Sequence, residues 1–366
     1  MYGLNRFTKP IYSLKSRKAT IKDVAVAAGL SPTTVSRYLN RGIVLPASSA
    51  DRIDEAVRSL GYRPDYLARN LSLGKSHLIG LIIPEISNPF FAELASAVED
   101  VAFAADYGVL ICNTHNDVAR EFAYLRLLAS RRLDGIAFVT CQADNPELVA
   151  ALNQTSHVVL VDEDIDGVNA ARVFCENRAG GRFAAEYLID HGHIRIGFIG
   201  GPEHLLSSRE RYAGFASVFA ERGLAHPQRL VSFGPYTSDF GRGTAMRFLA
   251  ASEPPTAIFA ASDYVALGVL HAATDLGLHV PQDLSLIGFD DMPFAADLSP
   301  ALTTIRQPIH ELGKVGAELL FRSMNGPADG APTLRLPVRL IERRSVRHLK
   351  TRLRVKLRRS AAFKRL

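Results

Sequence analysis

The chain has 366 residues, 47% of them hydrophobic, and no apolar run approaches the length of a membrane span, so several domains are predicted and a membrane protein is not. The net charge of +6 is unevenly spread along the chain. Residues 1–76 contain 13 Lys/Arg and 5 Asp/Glu, residues 343–366 contain 11 and none, and the residues between them contain 19 and 32. This distribution favours an N-terminal head that faces nucleic acid, followed by an acidic body. Residues 1–18 are basic and lack the apolar core of an export signal, so we expect a cytoplasmic protein. Cys112, Cys141 and Cys175 lack zinc-site spacing, so we expect free thiols and no metal. No cofactor is expected either.

The first predicted element is an amphipathic helix at the start of the head. Apolar residues recur at helical spacing from Ile21 to Ala28, Thr20 can cap the helix, and Asp23 lies at the third position of a capping box. Gly29 then breaks the helix, as a tight turn between two helices requires. The pattern therefore predicts a short helix followed at once by a second one.

The second predicted helix presents its first residues to the outside. Ser31 is its expected N-cap and Pro32 its first residue, where the missing N–H costs nothing, while Val35 and Leu39 can pack against the first helix. The outer face is then small, polar and basic at the helix start, which is typical of a helix that reads the DNA major groove. The alternative, an ordinary two-helix hairpin in a core, fits this outer face poorly. The outward residues are Pro32, Thr33, Ser36 and Arg37.

A third amphipathic helix is predicted over residues 48–61 and would close a small three-helix core. The run D-V-A-x-x-A-G-L-S-x-x-T-V-S-R-x-L-N, followed by G-Y-x-P-x-x-x-A-R-x-L, resembles the LacI/GalR family of bacterial transcription regulators. The resemblance implies a basic extension at 1–18, an all-α helix-turn-helix DNA-binding head at 19–64, and a hinge helix with linker at 65–76.

The resemblance also implies roles for single residues of the hinge helix. Leu71 would wedge between base pairs at the operator centre with Ala68 beside it, and an apolar wedge bends the duplex at the cost of unstacking. In the head, Thr33 and Arg37 are predicted to read base edges, and Ser31 and Thr34 to hold phosphates. The predicted DNA contacts are Thr20, Ser31, Pro32, Thr33, Thr34, Ser36, Arg37, Asn40, Tyr62, Ala68, Arg69 and Leu71.

From residue 76 onward, short apolar strands alternate with helical stretches, a pattern typical of a doubly wound α/β architecture with buried parallel strands. Nine strands suit two lobes better than one sheet, and we expect the lobe change after Asp162 and a later crossover within residues 290–308. The predicted strands are 77–86, 108–113, 135–140, 157–162, 172–176, 195–200, 230–233, 256–261 and 284–290.

The family resemblance continues through blocks such as Pro281-Gln-Asp-Leu-Ser-Leu-Ile-Gly-Phe-Asp-Asp and Leu340-Ile-Glu-Arg-Arg-Ser, and spans roughly residues 19–346. It implies an effector domain at 77–346 that is similar to periplasmic sugar-binding proteins, with two doubly wound parallel-sheet lobes and the ligand between them. Glu176 departs from the family, which usually has Asp before this Asn. Residues 347–366 form a basic tail, interpreted as disordered, with added non-specific DNA affinity as a hypothesis.

Ligands of doubly wound sheets bind beyond the carboxyl ends of the strands, which selects the candidate effector contacts. Charged and amide side chains beside aromatic rings suit a sugar or sugar derivative, and a purine stacked between the rings is the alternative. Structural roles stay open for several candidates: core packing for one of Phe90 and Phe91, helix capping for Asp263, and an ion pair for Arg211. Of Asp290 and Asp291, only one can easily point inward. The candidates by this rule are Asn88, Phe90, Phe91, Asn113, Arg211, Tyr236, Asp263 and Asp290, and the family resemblance adds Ser207.

No segment combines a nucleophile, a base and oxyanion donors, and Gly197-Phe-Ile-Gly-Gly lacks the spacing of a dinucleotide site, so we expect no enzyme. His191 and His193 are predicted to lie at the surface without metal. The sequence thus predicts a homodimeric regulator in the bacterial cytoplasm, nucleoid-associated when bound, that holds a palindromic operator under the control of a small molecule, most simply a carbohydrate. Repression is favoured over activation. The three rival functions are a sugar-binding protein without a DNA role, an enzyme of sugar metabolism, and a constitutive DNA-binding protein with a vestigial cleft.

Overall fold

The computed structural model describes residues 19–39, 42–62, 75–130, 133–142, 145–326 and 330–349. Contacts divide the chain into two compact units, Met1–Lys75 and Ser76–Leu366. None of the helices in these ranges is both long and apolar enough to cross a membrane. The helices are α1 Ile21–Ala28, α2 Pro32–Leu39, α3 Ala47–Ser59, α4 Pro89–Ala104, α5 Val118–Ser130, α6 Pro146–Asn153, α7 Asn177–Asp190, α8 Leu206–Glu221, α9 Ser238–Leu249, α10 Asp263–Asp275 and α11 Ile309–Asn325. The strands are β1 Leu78–Ile83, β2 Gly108–Asn113, β3 Gly135–Phe138, β4 Val158–Val161, β5 Ala171–Cys175, β6 Ile196–Gly200, β7 Val231–Phe233, β8 Ala257–Ala260, β9 Ser285–Asp290, β10 Thr303–Arg306, β11 Thr333–Leu336 and β12 Arg339–Ile341.

The first unit is the predicted three-helix head. The capping box of α1 is confirmed, because the Thr20 N–H donates to the Asp23 carboxylate at 2.8 Å and the Asp23 N–H donates to the Thr20 hydroxyl at 3.4 Å. Gly29 ends α1 in the left-handed conformation at φ 63°, where a side chain would be strained. The small core contains Val24, Ala25, Ala28, Val35, Ile53 and Ala56, all buried.

The second unit contains two six-stranded sheets, one for each lobe. The first lobe has the strand order β11-β5-β4-β3-β1-β2 and is parallel throughout. The second has the order β12-β10-β9-β8-β6-β7, and only the edge strand β12 runs antiparallel, against β10. Helices pack on the sheets, as parallel strands with crossover connections require. All nine predicted strands and the two-lobed α/β fold are confirmed.

The predicted position of the first lobe change was wrong. The chain does not leave the first lobe after Asp162, because β5 pairs in parallel with β4 and therefore extends the same sheet. The crossing follows Cys175 instead, and the chain returns to the first lobe between Arg306 and Ile309, since α11 packs on α4, β4 and β5. A third crossing joins β11 to β12.

Residues 347–349 are bound to the second lobe, so the predicted tail does not begin at 347. The Arg347 N–H donates to the Ser285 hydroxyl at 3.0 Å, and the Leu349 N–H donates to the His191 carbonyl at 2.8 Å. His193 is fully buried rather than at the surface, because its ring nitrogens contact the Arg347 carbonyl and the Thr256 hydroxyl, each at 3.0 Å. Burial lowers the pKa of His193 to about 4, so the ring is neutral. Residues 350–366 lie outside the described part of the chain.

Candidate effector cavity and DNA-reading surface

A cavity of about 430 Å³ opens between the two lobes, at the carboxyl ends of their strands. Its volume lies in the range of small-molecule sites. Seven of the nine predicted effector residues line it: Asn88, Phe90, Phe91, Ser207, Arg211, Tyr236 and Asp290. These residues are far apart in the sequence, and the fold brings them together around one cavity.

Arg211 is buried at the cavity wall, and two of its guanidinium nitrogens donate hydrogen bonds to the protein. Its guanidinium lies over the Phe289 ring at 3.8 Å from the centroid. Its Nε donates to the Asn177 side-chain oxygen at 2.9 Å and its Nη1 to the Ala261 carbonyl at 2.6 Å, while its distance to the nearest Asp290 oxygen is 3.8 Å. Arg211 therefore has the structural role that the sequence left open. Its contacts with Asn177, Ala261 and Phe289 hold in place the one buried guanidinium described in this wall.

Buried carboxylates outnumber that guanidinium. Asp162, Glu163 and Asp290 all line the cavity and are at most 7% exposed. Burial and the charge of Glu163 raise the pKa of Asp162 to about 8, and burial raises the pKa of Glu163 to about 6 against the hydrogen bonds from Ser207. One Asp162 oxygen, Oδ1, is buried without a hydrogen-bond partner among the described residues. The cavity is thus rich in acceptors and poor in free positive charge.

Two predicted effector residues do not line the cavity. Asp263 is fully buried with its carboxylate directed into the protein, where it accepts from the Met292 N–H at 2.8 Å and the Thr304 hydroxyl at 2.6 Å. The Asn113 side chain accepts from the Ile86 N–H at 3.3 Å and contacts His115. Asn113 ends β2 and Asp263 follows β8, but hydrogen bonds to residues distant in sequence hold both side chains away from the opening.

The other open alternatives are also decided by the packing. Phe90 is 5% exposed and belongs to the core, whereas Phe91 is only partly buried. Asp290 lines the cavity, and Asp291 pairs instead with Arg306 and Arg343. The Asn88 side chain accepts from the Phe90 N–H at 3.1 Å as the N-cap of α4. Asn88 and Phe90 therefore have structural roles beside any ligand contact.

The sequence reasoning missed several cavity residues. Asp162 and Glu163 directly follow β4, so the strand-end rule would have selected them, but the lobe change had been placed there instead. Gln307 follows β10, a strand that was not predicted, and its Oε1 is buried without a hydrogen-bond partner among the described residues. His204 and Tyr264 also line the opening.

In the head, the start of α2 is open to solvent. Ser31, Pro32, Thr33 and Arg37 are exposed while Val35 beneath them is fully buried. The Ser31 hydroxyl accepts from the Thr34 N–H at 3.1 Å, as an N-cap does. Thr20 is exposed, Ser36 is half-buried, and Tyr62 packs on the core of the head. The predicted contacts Asn40, Ala68, Arg69 and Leu71 lie outside the described residues.

Comparisons with known proteins cover both units. Residues 20–65 match the profile described as bacterial regulatory proteins, lacI family, and residues 185–346 match a periplasmic binding protein-like domain. The chain is 36% identical over 331 residues to the HTH-type transcriptional repressor PurR of Pectobacterium carotovorum subsp. carotovorum, which covers 90% of this chain and 97% of that protein.

Two solved structures extend the comparison. The lac repressor dimer bound to operator and the anti-inducer ONPF has a TM-score of 0.81 and 26% identity, covering 90% of this chain and 100% of that one. A LacI family transcriptional regulator from Enterococcus faecium with bound ribose has a TM-score of 0.67 and 27% identity, covering 75% of this chain and 100% of that one.

Proposed function

The chain belongs to the LacI family of bacterial regulatory proteins, and from that premise we propose that it is a transcriptional repressor whose affinity for an operator is set by a small molecule bound between its lobes. The observation that carries the proposal is the presence in one chain of a cavity between two lobes and an exposed face on α2, which is polar at the helix start and has Arg37 in its last turn. A ligand changes DNA affinity only if it binds the two conformational states unequally. No catalytic role is proposed for any cavity residue.

The operator is proposed to be palindromic and bound by a homodimer. The solved lac repressor complex is a dimer on its operator, which supports this arrangement. In the present chain, the edge strand β2 and the end of α4 expose three large apolar side chains: Phe103 at 75%, Leu110 at 42% and Ile111 at 44%. An apolar patch around an unpaired strand edge suits burial against a second copy. A two-fold dimer would then present two heads to two half-sites.

Leu71 provides a test of the hinge segment. Leu71→Ala should weaken binding to the operator far more than binding to unrelated DNA, because a wedge acts only where a deformable centre lies between two half-sites. Fluorescence anisotropy with the upstream region of the gene and with a shuffled duplex, at one fixed salt concentration, measures both affinities. Equal losses on the two duplexes would contradict the wedge.

The effector is proposed to be a sugar or sugar derivative. The acceptor-rich cavity with Phe91 and Tyr236 at its wall suits the hydroxyls and the C–H face of a sugar, and the Enterococcus faecium regulator holds ribose. A purine is the second candidate, because its ring N–H groups could donate to the carboxylates while its faces contact the aromatic rings. A ligand that leaves the buried acceptors without hydrogen-bond donors would bind weakly, so such a site is selective.

A thermal-shift panel of sugars and nucleobases tests the effector proposal. A true effector should raise the melting temperature of the wild-type protein and change its operator affinity. Phe91→Ala should weaken the binding of that compound at least about tenfold, because an apolar contact is lost. Phe183→Ala, on the surface of α7, is the control and should leave the affinity unchanged. A compound that binds both variants alike does not occupy this cavity.

A further inference from the structure

We propose that Glu163 determines the charge of the effector: its carboxylate occupies the anion-binding position at the start of α8, so the cavity accepts uncharged ligands and rejects phosphorylated or carboxylated ones. The proposal rests on the proposed function, since it specifies the ligand of the same cavity.

The start of α8 has the properties of an anion site. Its N-cap, Leu205, has no side chain that can accept from the first turn of the helix. The free N–H groups and the helix dipole at such an end favour negative charge, and phosphate groups commonly bind there. The end lies at the cavity wall, since Leu205 and Ser207 both line the opening.

Glu163 fills this position from the opposite lobe. The Ser207 N–H donates to Glu163 Oε2 at 3.1 Å, and the Ser207 hydroxyl donates to Glu163 Oε1. Glu163 follows β4 of the first lobe, whereas α8 belongs to the second. Glu163 is 3% exposed and Ser207 is 1% exposed, so water does not compete for these bonds. The carboxylate therefore takes the place that a ligand phosphate would need.

A second observation shows what kind of ligand the remaining space would take. The buried, unpaired Asp162 Oδ1 is an acceptor in the cavity wall, and Asp290 lies in the same wall. Arg211, the one buried cation described there, is already bonded to Asn177 and Ala261. An anionic ligand would meet the carboxylates of Glu163 and Asp290, whereas the raised pKa of Asp162 keeps that side chain mostly protonated near neutral pH. Repulsion by these two carboxylates is the basis for specificity against anions. Hydroxyl or N–H donors on a neutral ligand would satisfy the free oxygen.

The test is isothermal titration of the full chain with inorganic phosphate, ribose and ribose 5-phosphate. Wild-type protein should not bind phosphate measurably. Glu163→Ala vacates the helix start, and it should bind phosphate at least about tenfold more tightly than wild type, the factor that one charge-assisted hydrogen bond provides. Glu163→Gln keeps the shape and a hydrogen-bond acceptor but removes the charge, so its phosphate affinity should lie between the two. If ribose binds, the ratio of ribose 5-phosphate to ribose affinity should rise in the same order.

Glu203→Gln is the matched control, because it removes one exposed carboxylate from the loop before α8 without touching Ser207. The proposal is overturned if Glu163→Ala and Glu203→Gln bind phosphate equally, or if wild type binds phosphate as well as Glu163→Ala does. Should Glu163→Ala not fold, the comparison of Glu163→Gln with Glu203→Gln decides in the same way. The phosphate titration needs neither DNA nor the natural effector, so a failure of the proposed function, with no panel compound altering operator binding, is recognised separately.

Discussion

Arg211→Ala should lower the free energy of unfolding of the effector unit by about 3–5 kcal/mol, the cost of removing one partner from a buried charged cluster. The guanidinium connects the start of α7, through Asn177, to the end of β8, through the Ala261 carbonyl, and it covers the Phe289 ring. Its loss would leave the buried carboxylates of Glu163 and Asp290 without a nearby cation. Urea unfolding followed by circular dichroism measures the change. Effector binding should be abolished as well.

Arg222→Ala is the matched control for this large effect. Arg222 directly follows α8, the helix that contains Arg211, but it is exposed and pairs with Asp190 at the surface. Exposed ion pairs contribute about 0–1 kcal/mol, so this variant should unfold almost as wild type does. If both arginine variants lost the same stability, the buried cluster would not have the anchoring role assigned to Arg211.

Arg37→Ala should weaken operator binding roughly fivefold to 150-fold, which corresponds to the 1–3 kcal/mol that one bidentate base contact contributes. The side chain is exposed on α2 while the helix is held by buried Val35, so the substitution removes a contact without disturbing the core. Binding to shuffled DNA should fall much less. Competition titrations at constant salt separate the two affinities.

Arg58 offers the control for the head. It is exposed on α3, with 74% of its side chain accessible, and it pairs with Glu55. Arg58→Ala removes the same charge from the same unit, so it reports the general electrostatic contribution to DNA binding. An Arg37→Ala variant that loses no more operator affinity than Arg58→Ala would show that α2 does not read the base edges.

The elements that sequence reasoning found have strong local patterns. The capping box at Thr20 and Asp23 and the left-handed turn at Gly29 depend on neighbouring residues, and β1 and β4 are continuous apolar runs. Three strands were missed, and their patterns are weaker. β10 reads T-T-I-R, β11 reads T-L-R-L with an exposed face, and β12 has only three residues. β11 and β12 pair with strands that are distant in the sequence. The points at which the chain crosses between the lobes therefore could not be predicted from local periodicity.

In the candidate site too, local features could be predicted from the sequence and long-range contacts could not. Residues after recognised strands, such as Phe91 and Asp290, were found by position alone. Side-chain direction was not predictable: Asp263 follows a strand as Asp290 does, yet its carboxylate bonds to Met292 and Thr304 inside the protein. The position of Glu163 after β4 agrees with the strand-end rule, but its contact with Ser207 of the opposite lobe could not be predicted from sequence. Position along a strand is a local property, whereas contact across the cavity is not.

The three crossings between the lobes constrain the order in which the chain can fold during synthesis. The first lobe is assembled from discontinuous stretches of sequence, since α11 covers α4, β4 and β5, and its buried Leu312, Leu319 and Leu320 belong to the same core. A nascent chain that has emerged only as far as β10 therefore still exposes one apolar face of its first sheet. The amino-terminal lobe must wait for nearly the whole polypeptide, and a ribosome that stalls before residue 309 would release a chain that chaperones and proteases recognise.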